Sequence, residues 1–153
     1  MDRITLRKIR MPLVHFLETS FGRTYERHMI LVEVVADGLS GWGEVTAGEN
    51  PFYNEEWTES AWLIVRDYVA PRVLKYELAS AEETATRSSH IRGHLMARGG
   101  VEAAVWDLEA RASGGPLYKR SEERRGGEEG GSRGRPEQEK KKRNKDKRRA
   151  QLQ

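Results

Sequence analysis

The sequence predicts an α+β domain in which a three-stranded antiparallel sheet is followed by a three-helix bundle and then by a disordered tail. Three observations support this prediction. Residues 29–36 are rich in β-branched side chains, residues 36–40 carry a turn signal, and apolar residues recur at helical spacing after residue 56. A chain that places its strands first and its helices afterwards is typical of the α+β class.

The central strand is predicted at about residues 28–36, because branching at Cβ favours a pleated strand. One face would carry Ile30, Val32 and Val34, and the other Leu31, Glu33 and Val35. Gly38 reaches positive φ cheaply and marks a turn at residues 36–40, after which a third strand returns at about 41–46. The glycines on both sides of Trp42 indicate that another backbone or a large side chain passes close to it.

The first strand is predicted at about residues 3–11, where apolar and polar positions alternate. Its phase slips near Lys8, which we interpret as a bulge, and Pro12 ends the strand. Residues 13–27 show no convincing period and carry several aromatic residues, so we expect a long irregular connection. Such a connection is more often functional than not, and the alternative is that its aromatic side chains pack on the sheet.

Three helices are expected after a second irregular loop at residues 46–53. Asn54 would cap the first helix, with Glu55 and Glu56 in its first turn, and Pro71 would stop or kink it. Its apolar face would carry Trp57, Ala61, Ile64, Val65 and Tyr68.

The second helix is predicted at about residues 80–92 from the capping-box pattern that begins at Ser80. The third is predicted at about 98–113 and ends at Gly114-Gly115-Pro116. Its apolar stripe would consist of Val101, Ala104, Val105, Leu108 and Ala112.

Charge is unevenly distributed along the 153 residues. The whole chain has 27 Lys/Arg and 24 Asp/Glu, whereas residues 121–153 alone have 12 Lys/Arg and 7 Asp/Glu, so the basic excess lies in the tail. There is no cysteine, which excludes disulfides and thiolate chemistry. The N-terminus lacks the apolar stretch of a signal peptide and no stretch is long enough to span a membrane, so we expect a soluble, cytoplasmic protein.

Three blocks carry a resemblance to a known family: MPLVHFLETSFG, GWGEVTAGENPFYNEEW and GHLMARGGVEAAVWDLEARASGGPLYK. In this order they resemble the N-terminal capping domain of the enolase superfamily, and within it the o-succinylbenzoate synthases and N-acylamino acid racemases. The resemblance covers residues 1–119, which we interpret as the capping domain, and leaves 120–153 as a disordered basic tail of non-native appearance. The chain departs from the family at Arg98-Gly99-Gly100, where each glycine weakens the helix start by about 1 kcal/mol.

The resemblance implies that the two irregular loops close over the mouth of a C-terminal barrel and shape a pocket for a small carboxylate substrate. The positions that it implies for substrate binding are Leu17, Thr19, Ser20, Phe21, Gly48 and Tyr53. Catalytic lysines and the ligands for Mg²⁺ or Mn²⁺ lie on that barrel in the family, and we expect neither a catalytic residue nor a metal ligand in this chain. Lys140 and Lys142 match the family's Lys-x-Lys spacing, but no strand or carboxylate set accompanies them.

The function that the resemblance implies is that of a capping-domain fragment of a dehydratase of menaquinone biosynthesis, severed from its barrel and inactive alone. The alternatives are a racemase fragment, which needs the same metal and lysines, or a nucleic-acid-binding protein that acts through its basic tail. Because the tail has no interleaved aromatic residues, we favour a non-native extension over nucleic-acid binding. Exposed apolar loops would favour homo-oligomers.

Three further patterns have ordinary structural interpretations. His90 and His94 have a spacing that suits zinc on a helix, but they lack a third ligand, so we interpret them as exposed at a helix end. Asp107 and Glu109 are expected on a solvated face or in a salt bridge rather than as an acid–base pair. The four tryptophans are expected at core and interface positions: Trp42, Trp57, Trp62 and Trp106.

Overall fold

The sheet consists of three antiparallel strands in the order β1-β2-β3, as the sequence predicts. It is seen in a computed structural model that describes residues 1–20, 22–75 and 77–119. The strands are β1 (Arg3–Thr19), β2 (Gly22–Ala36) and β3 (Leu39–Val45). The predicted tail at residues 120–153 lies outside the described residues, so the proposed boundary after residue 119 stays a prediction.

The central strand β2 supplies one side of the core. Ile30, Val32 and Val34 are fully buried, whereas the alternate residues are only partly buried, which confirms the predicted faces. A two-residue turn joins β2 to β3, in which Asp37 and Gly38 both have positive φ, 50° and 76°. This geometry matches the right-handed twist of a hairpin, and Asp-Gly is a sequence that favours it.

The other side of the core is formed by three helical stretches, which also confirms the predicted count. The first stretch contains α1 (Thr58–Ile64), a π-helical turn (Val65–Val69) and α2 (Ala70–Leu74). The second is α3 (Glu82–Ser88), and the third is α4 (Leu95–Ala112). The residues described include no helix that is both long and apolar enough to cross a membrane.

Strand β1 is longer than predicted, because it continues through Pro12 to Thr19. β1 is an edge strand, where proline is tolerated because its missing N–H can face solvent. The predicted bulge near Lys8 is wrong, since the pairing with β2 runs without a break from Arg3 to Pro12. The register shifts instead between Pro12 and Leu17. This irregularity interrupts the alternation of side chains, which is why residues 13–27 resembled an irregular connection in the sequence.

The first helix starts later and continues further than predicted. Asn54 is not its cap, because the helix begins at Thr58 and the Asn54 side chain instead accepts the Glu56 N–H at 3.1 Å. The helix does not stop at Pro71 either, since α2 (Ala70–Leu74) continues past the proline, and the predicted alternative of a kink stays a prediction. A π-helical turn holds one extra residue and so rotates the buried face. Val69 is therefore buried in place of the predicted Tyr68, which is half exposed.

The remaining helices differ from prediction mainly at their ends. α3 stops at Ser88 rather than near Arg92, and its N-cap is Ala81 rather than Ser80. Consequently His90 and His94 do not share a helix, and His94 is partly buried at the N-cap of α4 with a φ of 52°. Ala112, which was predicted to be buried, is exposed.

Helix α4 lies directly against strand β3, and glycines make this close approach possible. A Cβ atom built on Gly43 would lie 2.1 Å from the Gly100 carbonyl oxygen, and one on Gly41 would lie 2.2 Å from the Ala104 carbonyl oxygen. The prediction that a backbone passes beside Trp42 is therefore confirmed. Gly100 is needed for the same reason, because its Cβ would lie 2.4 Å from a methyl carbon of Val45. The departure from the family at Arg98-Gly99-Gly100 thus falls at a packing contact inside α4, not at the helix start.

The four tryptophans lie around this core rather than inside it. Trp62 and Trp106 pack against the buried cluster, as the core interpretation expects, but each remains partly exposed. Trp42 is 41% exposed on the outer face of the sheet, where the Arg7 guanidinium lies 5.5 Å from its ring centroid.

Candidate functional site

A two-stranded ribbon projects from the sheet. We use the term ribbon for residues 9–20 and 22–29, where β1 and β2 pair with each other beyond the end of β3, which reaches only Ile30 of β2. Isolated two-stranded hairpins are marginal in water, so a ribbon of this kind needs additional contacts. Some are provided by Arg23, whose guanidinium lies 4.6 Å from the Phe16 ring centroid and bonds Glu18 at 2.9 Å. The Phe16 and Tyr25 rings lie 5.8 Å apart.

The ribbon also exposes apolar side chains to solvent. Val14 is 92% exposed, and the other large apolar residues that it exposes are Met11, Phe16, Leu17 and Tyr25. Phe16 and Tyr25 contact each other on the ribbon and lie outside the buried core. A cluster of exposed apolar side chains is typical of an interaction surface.

At the base of the ribbon, Arg10 forms an ion pair with Glu26 across the two strands. The hydrogen bond from Arg10, together with its positive charge, lowers the pKa of the Glu26 carboxyl below 4.5. A carboxyl whose pKa is lower in the folded state stabilises that state above the unfolded pKa, and the contribution is lost as the pH falls through the folded pKa. The ribbon should therefore lose this contribution in the acid range below 4.5.

We expect the Glu26 carboxyl to titrate with a midpoint below 4.5, and the midpoint to rise towards that value in Arg10→Gln. The measurement is the ¹³C chemical shift of the carboxyl carbon as a function of pH. Arg27→Gln is the matched control, because it removes a neighbouring positive charge without touching the ion pair. An unchanged midpoint in Arg10→Gln would contradict the assigned cause.

A second loop lies beside the base of the ribbon. We use the term second loop for residues 46–57, whose two ends are joined. The Thr58 N–H donates to the Gly48 carbonyl oxygen at 2.8 Å, and the Thr58 hydroxyl lies 3.0 Å from the carbonyl oxygens of Ala47 and Gly48. Between these ends the tip is open to solvent, with Phe52 80% and Tyr53 82% exposed. The loop is therefore closed at its stem and exposed at its tip.

Glu56, near the end of the second loop, reaches the N-terminus of α4. Its two carboxylate oxygens accept the N–H groups of Met96 and Ala97, both at 2.9 Å. The side chain is buried, with a relative exposure of 2%. The sequence had placed Glu56 in the first turn of its own helix, which is wrong because that helix begins two residues later.

An open pocket of about 420 Å³ lies between the base of the ribbon, Glu49 of the second loop and the first turn of α1. His28 on the ribbon and Glu49 on the loop approach each other here, with Nε2 and Oε1 4.0 Å apart. The wall carries both basic and acidic groups and consists of Lys8, Ile9, Arg10, His28, Glu49, Thr58 and Glu59. The two segments are therefore neighbours at their bases.

The sequence-predicted site residues fall into two groups. Leu17, Thr19 and Ser20 lie together at the far end of the ribbon, where Thr19 pairs with Gly22 across the turn. Gly48 and Tyr53 lie in the second loop, at its stem and its tip. All five are exposed, and Phe21 lies outside the described residues. Sequence analysis missed His28, Glu49 and Glu56, because their roles depend on contacts between segments that are distant in the chain.

The alternative chemical sites receive no support from the described residues. Within residues 1–20, 22–75 and 77–119, no three His, Cys, Asp or Glu side chains form a group that could hold a metal ion. Asp107 forms a salt bridge with Arg111 at 2.9 Å, as predicted, and both carboxylates also accept backbone N–H groups, which was not predicted. Asp107 accepts the Trp42 N–H at 2.9 Å, and Glu109 accepts the Ala81 N–H at 2.6 Å.

Comparison with known proteins supports the resemblance seen in the sequence. The family model described as "Mandelate racemase / muconate lactonizing enzyme, N-terminal domain" matches residues 3–119. An o-succinylbenzoate synthase from Geobacillus stearothermophilus is 41% identical over 117 residues, which is 76% of this chain and 31% of that protein. An N-succinylamino acid racemase from an Amycolatopsis species is 36% identical over 109 residues, which is 71% of this chain and 30% of the racemase.

A solved structure agrees with these sequence relationships. A member of the enolase superfamily from Listeria innocua superposes with a TM-score of 0.74 at 31% identity, covering 78% of this chain and 32% of the other. The chain thus spans about a third of the length of the relatives that it matches.

Proposed function

The chain belongs to the mandelate racemase / muconate lactonizing enzyme N-terminal domain family, and from that premise we propose that residues 1–119 form the capping domain of an o-succinylbenzoate synthase-like cytoplasmic enzyme. The main support for the proposal is that two exposed segments, the ribbon and the second loop, lie next to each other, with His28 and Glu49 in proximity at their bases. The 41% identity to an o-succinylbenzoate synthase supports this choice of activity. N-acylamino acid racemisation is the second candidate, because a racemase is also 36% identical.

In this proposal the two segments shape and close a pocket for a small carboxylate substrate above a C-terminal barrel. Leu17 and Tyr53 present apolar surface, and Thr19 and Ser20 present hydroxyl groups from the end of the ribbon. Closing such segments expels water, which strengthens every electrostatic interaction in the site beneath them. Phe21 and Gly48 complete the proposed set, Gly48 by holding the stem of the second loop.

The divalent metal that the family uses would stabilise the negative charge of an enediolate. The described residues of this chain do not fit a metal site, because no group of potential ligands occurs among them. We therefore assign no Mg²⁺ or Mn²⁺ ligand to this domain, and its partner in the proposal is the barrel that carries the chemistry. Without the barrel, the exposed apolar side chains of the ribbon would favour association with a second copy of the chain.

A domain exchange tests the proposal. Residues 1–119 replace the equivalent domain of the Geobacillus o-succinylbenzoate synthase, and kcat and KM for dehydration are measured. We expect the chimera to be active and Leu17→Ala or Tyr53→Ala to lower kcat/KM by roughly tenfold or more, since losing an apolar pocket contact costs about 1–3 kcal/mol.

Val14→Ala is the matched control, because Val14 is an exposed apolar residue of the same ribbon that we do not assign to the pocket. A folded chimera without activity would contradict the proposed function. So would equal effects of Leu17→Ala and Val14→Ala.

A further inference from the structure

We propose that Glu56 is a positioning residue that fixes the stem of the second loop to the N-terminus of α4, so that movement of the loop is confined to its tip at residues 50–53. The link of this inference to substrate rests on the proposed function, whereas the contact itself does not. Glu56 would act through Gly48 and Tyr53 rather than by touching substrate.

Glu56 provides hydrogen-bond acceptors for backbone N–H groups in the first turn of α4. The first N–H groups of a helix have no partner within the helix, and they attract negative charge. Here the N-cap residue is His94, whose side chain makes no capping hydrogen bond. The carboxylate of Glu56 satisfies two of these N–H groups from a position 40 residues earlier in the chain.

This arrangement couples the loop to the helix. Glu56 is buried and uses both oxygens in contact with α4, so the carboxylate cannot move away without leaving buried N–H groups unpaired. On the other side of the loop, Thr58 holds Gly48 through a backbone and a side-chain hydrogen bond. The stem is therefore held on two sides, whereas Phe52 and Tyr53 at the tip extend into solvent.

Hydrogen exchange in the 153-residue chain tests the coupling. In Glu56→Ala we expect three amides to exchange faster by roughly tenfold or more: those of Met96 and Ala97, which donate to Glu56, and that of Thr58, which donates to the Gly48 carbonyl oxygen. Amides of β2 should change much less, as in a local opening. Glu56→Gln keeps one acceptor oxygen and should give an intermediate increase. Glu55→Gln is the matched control, because Glu55 is exposed and adjacent in sequence.

Two outcomes of the exchange experiment would overturn the proposal. One is an equal increase at Thr58 and in β2, which would show a general loss of stability. The other is a Glu56→Gln chain that fails to fold, because a positioning role leaves the fold intact.

Kinetics of the chimera separate positioning from stability. We expect Glu56→Gln to raise KM several-fold with a smaller change in kcat, because a misplaced loop weakens substrate binding, whereas a lower folded fraction would reduce only the apparent kcat. An unchanged KM would contradict the link to substrate. If the unmutated chimera is inactive, the proposed function fails, and the exchange experiment alone then decides the role of Glu56.

Discussion

Replacement of Gly43 by alanine should lower the free energy of unfolding of residues 1–119 by about 3 kcal/mol or more, enough to unfold a marginal domain. The added Cβ would lie 2.1 Å from the Gly100 carbonyl oxygen and 2.7 Å from the Ala104 nitrogen. Both are backbone atoms inside α4, so no side-chain rotation relieves the clash. The strand and the helix would have to separate, which would open the core between them.

The measurement is a urea unfolding curve followed by far-UV circular dichroism. Gly99→Ala is the matched control, since Gly99 lies in α4 with nothing within 4 Å of its built Cβ. There alanine should raise the free energy of unfolding by about 0.5–1 kcal/mol, because glycine is unfavourable inside a helix. Equal stability of the two variants would refute the close-approach explanation.

The 153-residue chain assayed alone should dehydrate or racemise no substrate above the uncatalysed rate, even with Mg²⁺ or Mn²⁺. Forming an enediolate requires strong electrostatic stabilisation of the developing charge. Leu17 and Gly48 have no group that accepts a proton, and the described residues offer no ligand group for a metal ion. In the proposed function Leu17 and Gly48 shape the pocket and exclude water from it, and neither contribution replaces a catalytic base.

The assay compares the chain with the chimera under the same conditions. Turnover by the chain that persists in Lys140→Ala and Lys142→Ala would overturn the capping-domain interpretation. Turnover that is lost in these variants would instead assign the chemistry to the tail. Equal amounts of folded domain, measured by circular dichroism, provide the control.

The sequence predicts those parts of the fold that depend on local periodicity. The alternation at Ile30, Val32 and Val34 identified the buried face of β2, and the glycines around Trp42 indicated the close approach of another element. The family resemblance carried the prediction further, because it directed attention to two segments that the structure shows to be exposed, the ribbon and the second loop. The alternation in β2 and the glycines around Trp42 could be recognised because each pattern involves residues that are close together in the sequence.

The errors occur where a local irregularity changes the period. The register shift between Pro12 and Leu17 concealed the second half of β1. The π-helical turn moved burial from Tyr68 to Val69, because it adds a residue to the turn. Glu56 was misplaced for a different reason: its partners lie 40 residues away, and a single sequence contains no signal for such a pairing.

The joined ends of the second loop have a consequence for its evolution. The hydrogen bond from the Thr58 N–H to the Gly48 carbonyl oxygen closes the segment between them into a loop. The entropy cost of bringing the two ends together is therefore already part of the stability of the fold. Polymer theory makes the cost of enlarging such a loop small, about 0.6 kcal/mol for each doubling of its length. Insertions and deletions at Phe52 and Tyr53 should therefore change the free energy of unfolding only slightly. The tip can therefore change in length and sequence while the rest of the domain remains unchanged.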